Sequence, residues 1–147
     1  MLADIAESID IDASTERVWA VITTPELVAE WLGCLGFTGE IGSTFYMQPD
    51  AAKRAAGDTS GATHCELEAL EPPRAVLFSW FLPGTPKTHV RIELSEASAA
   101  STQVRLTHSG WDQFDEQQMK GLRDMLAGGW KSFVLPGLKG VAERSKI

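Results

Sequence analysis

The chain has 147 residues, with 20 acidic and 13 basic side chains, and its net charge of −7 argues against binding a nucleic-acid phosphate backbone. Hydrophobic residues at 44% and charged residues at 22% exclude global disorder, and residues 1–147 are expected to form one domain whose core needs no metal or disulfide staple. No apolar run approaches the roughly 18 residues that span a bilayer, so no membrane insertion is expected. The opening segment Met1–Ile5 carries an acid where a secretory signal carries bases, and two cysteines, Cys34 and Cys65, make no disulfide framework. Both features predict a cytoplasmic protein.

Ile5, Ile9 and Ile11 share one parity, which predicts a half-buried strand over residues 5–11. Ser14 then offers an N-cap, with Glu16 in the first turn, to a helix of about nine residues carrying Val18, Trp19, Val21 and Ile22. Thr24 and Pro25 open a second short helix, whose stripe of Leu27, Val28, Trp31 and Leu32 stops at Gly33. From Phe37 to about Ser109 the helical period disappears. Strands are predicted over 44–47, 63–70, 75–81, 88–94 and 102–108. Turns at Pro72-Pro73, at Pro83–Pro86 and in the small residues Ser95–Ser101 join them into an antiparallel meander. One connection is long: Gln48–Gly61 has no periodicity and is expected to be an irregular lid, binding loop or mobile loop.

After Gly110 the helical period returns. Met119, Leu122, Met125, Leu126, Gly129, Trp130, Phe133, Gly137 and Leu138 step by three and four. They predict a long amphipathic helix from about Gln113 to about Val134, with a kink or an end at Pro136 and a short continuation. A strand, two short helices, a meander and one long helix predict an α+β fold in which a curved antiparallel sheet wraps the C-terminal helix.

The residues also carry a resemblance. Ile11–Trp19, then Thr24-Pro25-Glu26-Leu27 and Trp31, resemble the opening of the START-like, or SRPBCC, helix-grip superfamily. Phe78-Ser79-Trp80 and Thr102–Trp111 are similar to its branch of activator-of-heat-shock-chaperone-ATPase homologues, as are Gly129-Trp130 with Leu135 and Leu138. The resemblance runs from about residue 5 to about residue 140 and departs at Pro136 and in the Gln48–Gly61 loop. It implies a cavity between sheet and long helix, used in many members for apolar small molecules. Members include lipid and hormone binders and aromatic-polyketide cyclases, so the fold alone does not choose a function.

Among polar residues, His108 has the inward parity of Thr102, Val104 and Leu106, and an inward imidazole either orients a ligand, moves a proton or simply fixes the corner before Trp111. A triad of His108, Ser109 and Asp112 fails because adjacent strand residues point to opposite faces. His64 and Cys65 diverge in the same way and no metal-ligand spacing exists, so neither metal nor cofactor is expected. Glu66 and Glu68 share a strand face and, with Glu93, are expected to pair across strands with Arg91 or Arg105. Gly121, Gly128 and Gly129 cost helix stability, which close helix–sheet approach, room for a ligand or a local break would each explain.

The expected pocket residues are Trp31, Phe45, Met47, Phe78, Trp80, His108, Trp111, Met119, Leu122, Met125 and Trp130, with no catalytic residue assigned beyond the candidate His108. The expected partner is a small hydrophobic or aromatic molecule, bound by a monomer or a homodimer. Two other functions fit the same sequence: cyclase-type or proton-transfer chemistry in that pocket, and stimulation of a chaperone ATPase through a protein surface.

Overall fold

The computed structural model describes residues 2–144, so Met1 of the opening segment lies outside the described residues. Strand β1 (Ile5–Ile11) leads into helices α1 (Thr15–Thr23) and α2 (Pro25–Leu32). As the sequence suggests, Ser14 caps α1 by accepting from the Arg17 N–H, and Pro25 sits in the first turn of α2. Gly33 ends α2 at φ 69°, a left-handed conformation that a residue with a Cβ adopts only at a cost.

Strands β2 (Cys34–Leu35), β3 (Thr44–Met47), β4 (Thr63–Glu71), β5 (Ala75–Phe81), β6 (Thr88–Ser98) and β7 (Ser101–Ser109) complete the sheet. All neighbours pair antiparallel, in the order β1-β7-β6-β5-β4-β3-β2. The meander is therefore present, with β1 returning beside the last strand. One expectation is corrected, and one strand was not foreseen. The small residues Ser95–Ser101 form mostly strand, because β6 and β7 continue pairing to Ser98 and Ser101 and leave a tight hairpin. The short β2 pairs with β3 through Cys34–Met47 and Leu35–Tyr46, and two residues are too few to show a period.

The Gln48–Gly61 connection is not irregular throughout. It holds α3 (Ala51–Ala56), capped by the Asp50 carboxylate at the Ala52 and Lys53 N–H groups and closed by Gly57. Gln48, itself buried, anchors the segment: its side-chain amide donates to the carbonyls of Asp58 and Ser60 and accepts from the Asp50 N–H.

The C-terminal helix also differs from expectation. It begins at Glu116 as α4 (Glu116–Gly129), widens into a π-turn over Trp130–Val134, and continues as α5 (Leu135–Arg144). Pro136 neither ends nor follows the helix; it lies within it. In a regular α-helix its ring would meet the Ser132 carbonyl, and its missing N–H would leave a gap in the ladder. The π-turn, in which the Leu135 N–H reaches back to the Trp130 carbonyl, opens the ladder where the proline needs space.

The two halves of this helix sit differently. α5 buries Leu135, Leu138, Val141 and Ala142, each side chain of leucine or valine size contributing roughly 1.5–3 kcal/mol, whereas α4 has no fully buried residue. Arg17 of α1 donates to the carbonyls of Val141 and Ala142, holding the C-terminal turn. Elsewhere the helix leans on the first strand and the residues just before it: Arg123 donates to the carbonyls of Ala3 and Asp4, and Lys139 to that of Asp10. The helix is thus tied to the β1 margin and stands away from the β2–β3 margin.

Candidate functional site: an apolar cleft beside the long helix

Where α4 stands off, a cleft of about 860 Å³ opens between the end of α2, the β3–β5 margin and the helix. Its floor carries Trp31 and Trp80, both nearly buried, and Met47. Leu122, Leu126, Gly129 and Phe133 succeed one another along one face of the helix and form its wall. Met125, Phe133 and Leu82 form an apolar rim, with Phe133 78% and Met125 66% exposed, values that place them at an opening rather than in a core. The indole N–H of Trp31 is spent on the Val21 carbonyl, so this ring presents a carbon surface to the cleft.

Charge enters the cleft at two points. Glu30 is closed by a two-pronged ion pair with Arg144, at 2.5 and 2.8 Å, and that guanidinium holds its carboxyl below the usual range. Arg54 of α3 lies at the other point, one amine donating to the carbonyl of Gln48.

Of the expected pocket residues, Trp31, Met47, Trp80, Leu122 and Met125 come together on this cleft. Met119 is half-buried one turn before it, while Phe45, Phe78, Trp111, Trp130 and His108 are packed inside the core. Their displacement has a physical cause: the inward rings pack on one another, Phe45 of β3 and Phe78 of β5 edge-to-face at 5.4 Å, and Trp111 and Trp130 against the His108 ring at 4.9 and 5.9 Å. Only the strand ends, Met47 and Trp80, reach the margin where the helix has lifted.

His108 is fully occupied where it is. The Trp130 indole N–H can only donate, so His108 Nδ1 accepts it at 3.1 Å and the proton sits on Nε2. Nε2 donates to Thr88 Oγ1 at 2.7 Å, and that hydroxyl donates onward to the Trp80 carbonyl at 2.6 Å. Burial, with a smaller contribution from His89, pushes the imidazole down to about 3. It is a neutral, two-bonded core residue that braces Trp80 from behind, and it does not line the cleft. Gly110, at φ 96° and with a Cβ position only 3.2 Å from Thr88 Cα, makes the corner that brings Trp111 over the His108 ring, 4.9 Å between centroids.

The acid pairs also resolve. Glu66 pairs with Lys87 and Glu68 with His89, while Arg91 takes Glu71 and Glu93. These are exposed contacts on the outer face; Arg91–Glu93 runs along β6 rather than between strands, so among the described residues the expected cross-strand pairing of Glu66, Glu68 and Glu93 with Arg91 or Arg105 does not form. Among the described residues no group of His, Cys, Asp or Glu is placed to hold a metal ion, and no helix is long and apolar enough to cross a membrane.

Sequence reasoning missed Arg54, Leu82, Leu126, Gly129 and Phe133 as lining residues. The last three share the helical stripe of Leu122, and that stripe could have named them; Arg54 and Leu82 depend on how α3 and the β5–β6 turn fold back.

With this geometry in hand, comparison with known proteins places the chain. A family model described as Activator of Hsp90 ATPase homolog 1-like protein matches residues 12–143. The chain belongs to that family. No curated protein matches it. Among solved structures, protein MLL2253 from Mesorhizobium loti is 22% identical with a TM-score of 0.78, covering 99% of this chain and all of that one. The Aha1 dimer from Colwellia psychrerythraea is 22% identical at a TM-score of 0.70, over 99% of this chain and 100% of its own. An HSP90 activator from Plasmodium falciparum is 13% identical at a TM-score of 0.73, over 94% of both chains. At these identities the likenesses establish the shared helix-grip fold.

Proposed function

We propose that this protein binds a small, largely apolar or aromatic molecule in the cleft between α2, the β3–β5 margin and α4. One observation carries the reading: a helix half with no fully buried residue faces two tryptophan side chains across about 860 Å³ of open space. The glycines agree with it. Gly128 and Gly129 line the cleft and have nothing within 4 Å of where a Cβ would be, so close helix–sheet approach is not their reason. Open space over the cleft and the widened turn that starts at Trp130 both account for them.

The lining favours binding over chemistry. Among the described residues it holds no His, Cys, Asp, Lys or Tyr, and its one carboxylate, Glu30, is committed to Arg144. A proton-transfer enzyme would need a group free to exchange a proton near neutral pH. The buried free thiols of Cys34 and Cys65 suit a reducing compartment, and we place the protein in the cytoplasm on that ground.

The test is a thermal-shift screen of lipids, polyketides and aromatic metabolites, alongside native mass spectrometry. A ligand present at about 100 times its Kd should add about 2.7 kcal/mol to stability, because it binds only the folded chain. A panel without any stabilising compound, together with stimulation of a chaperone's ATP hydrolysis, would overturn the reading and move activity to the outer surface.

A further inference from the structure

Resting on that reading, we infer that the bound molecule is an apolar acid whose carboxylate seats on Arg54. Among the described residues the cleft has two charged side chains, and one of them is unanswered. Glu30 is neutralised by both amines of Arg144. Arg54 donates one Nη1 bond to the Gln48 carbonyl and, among the described residues, has no carboxylate partner and no acceptor for Nε or Nη2. A half-buried guanidinium beside an apolar floor attracts an anion, and its planar Nε–Nη2 edge matches the two oxygens of a carboxylate.

The guanidinium is also held in place before any ligand arrives. Gln48, which receives the Nη1 bond, is tied down on both sides: its backbone N–H donates to the Gly33 carbonyl and its side chain to Asp58 and Ser60. Gly33 completes the seat, since a Cβ there would lie 3.4 Å from Arg54 Nη1. Neighbouring acids are otherwise engaged: the Asp50 carboxylate caps α3, and that of Asp58 accepts from the Ser60 N–H. The apolar part of the acid then runs from Arg54 across Trp31 and Trp80 toward Leu126.

Decanoate and 1-decanol, with 2-naphthoate and 2-naphthalenemethanol as the aromatic pair, separate the charge from the apolar body. Binding is titrated through tryptophan fluorescence near neutral pH. In the wild-type protein each acid should bind at least about 10-fold more tightly than its alcohol, an advantage that shrinks as salt rises from about 0.02 M to about 0.5 M. The acid-to-alcohol ratio should fall toward 1 in Arg54→Gln and recover in part in Arg54→Lys, which keeps the charge but not the fork. A ratio near 1 in the wild type, or one indifferent to both salt and Arg54→Gln, overturns the acid while leaving the cleft intact, provided Gly129→Leu still abolishes alcohol binding. Failure of every probe, or binding unchanged by Gly129→Leu, overturns the cleft as well. The salt series on the wild type decides the question even if Arg54→Gln loosens α3.

Discussion

At the scale of single residues, the chain Trp130–His108–Thr88–Trp80 explains why an imidazole with no exposed surface is tolerated. Each donor meets one acceptor, and the Trp80 carbonyl at the end belongs to β5, so the relay ties helix, β7, β6 and β5 together. Trp111 offers an internal comparison. Its ring is equally buried, yet its Nε1 is sealed from solvent with no hydrogen-bond partner among the described residues. Replacing Trp130 by Phe removes a bulky ring and also strands His108 Nδ1, whereas Trp111→Phe removes a ring and an N–H that bonds nothing. Trp130→Phe is therefore expected to cost about 1–3 kcal/mol more than Trp111→Phe, read from urea midpoints at constant slope. Equal losses would disprove the relay. The inward parity of His108 was legible from Thr102, Val104 and Leu106, but its neutral role was not. That role is set by an indole 22 residues later in sequence, placed by a turn whose geometry no local period reports.

At the scale of elements, the long helix shows how a periodic stripe can be right and still mislead. The stripe predicts one continuous buried face, but the π-turn that accommodates Pro136 changes the phase between its two halves. Beyond it Leu135, Leu138 and Val141 enter the core; before it Leu122, Leu126 and Gly129 face the cleft, and Phe133 is left at the rim. The proline announced an irregularity, and only the tertiary packing decided that it would be a widened turn rather than an end. In the Gln48–Gly61 segment the signal was present: Asp50, the alanines of α3 and Gly57 spell cap, helix former and stop in succession. Its brevity hid it. Gly129→Leu tests what the stripe is for. The position has helical φ −65° and an open Cβ site, so leucine should raise helix stability by up to about 1 kcal/mol while filling the cleft. A melting temperature that holds or rises, with apolar binding lost by at least about 10-fold, is the expected pair of results. A clear loss of stability would mean that the space is needed for packing instead.

At the scale of the whole molecule, the helix is fixed at one margin of the sheet and free of the other, which leaves a cleft beside a core that needs no ligand to be complete. Stability and binding are then governed by different residues, and pH separates them. The folded imidazole of His108, at about 3, lies below its ordinary value near 6.5, so the unfolded chain binds a proton that the folded chain refuses. The contribution is fully present above pH 6.5 and is lost as pH falls toward 3. Integrated from about pH 7 to about pH 5, it amounts to about 2 kcal/mol. The exposed acids whose ranges are lowered, Glu30, Asp58, Glu116 and Asp124, titrate from ordinary values of 4.5 and 3.8, below that window. Denaturant midpoints should therefore fall between pH 7 and pH 5 in the wild type and flatten in His108→Gln, even though that variant starts from a lower plateau. Because no group of the cleft lining exchanges a proton with His108, the affinity of an uncharged apolar probe should stay level across the same window. A probe affinity that tracks the stability curve would show instead that the core and the cleft are one cooperative unit, with Trp80 as the link between them.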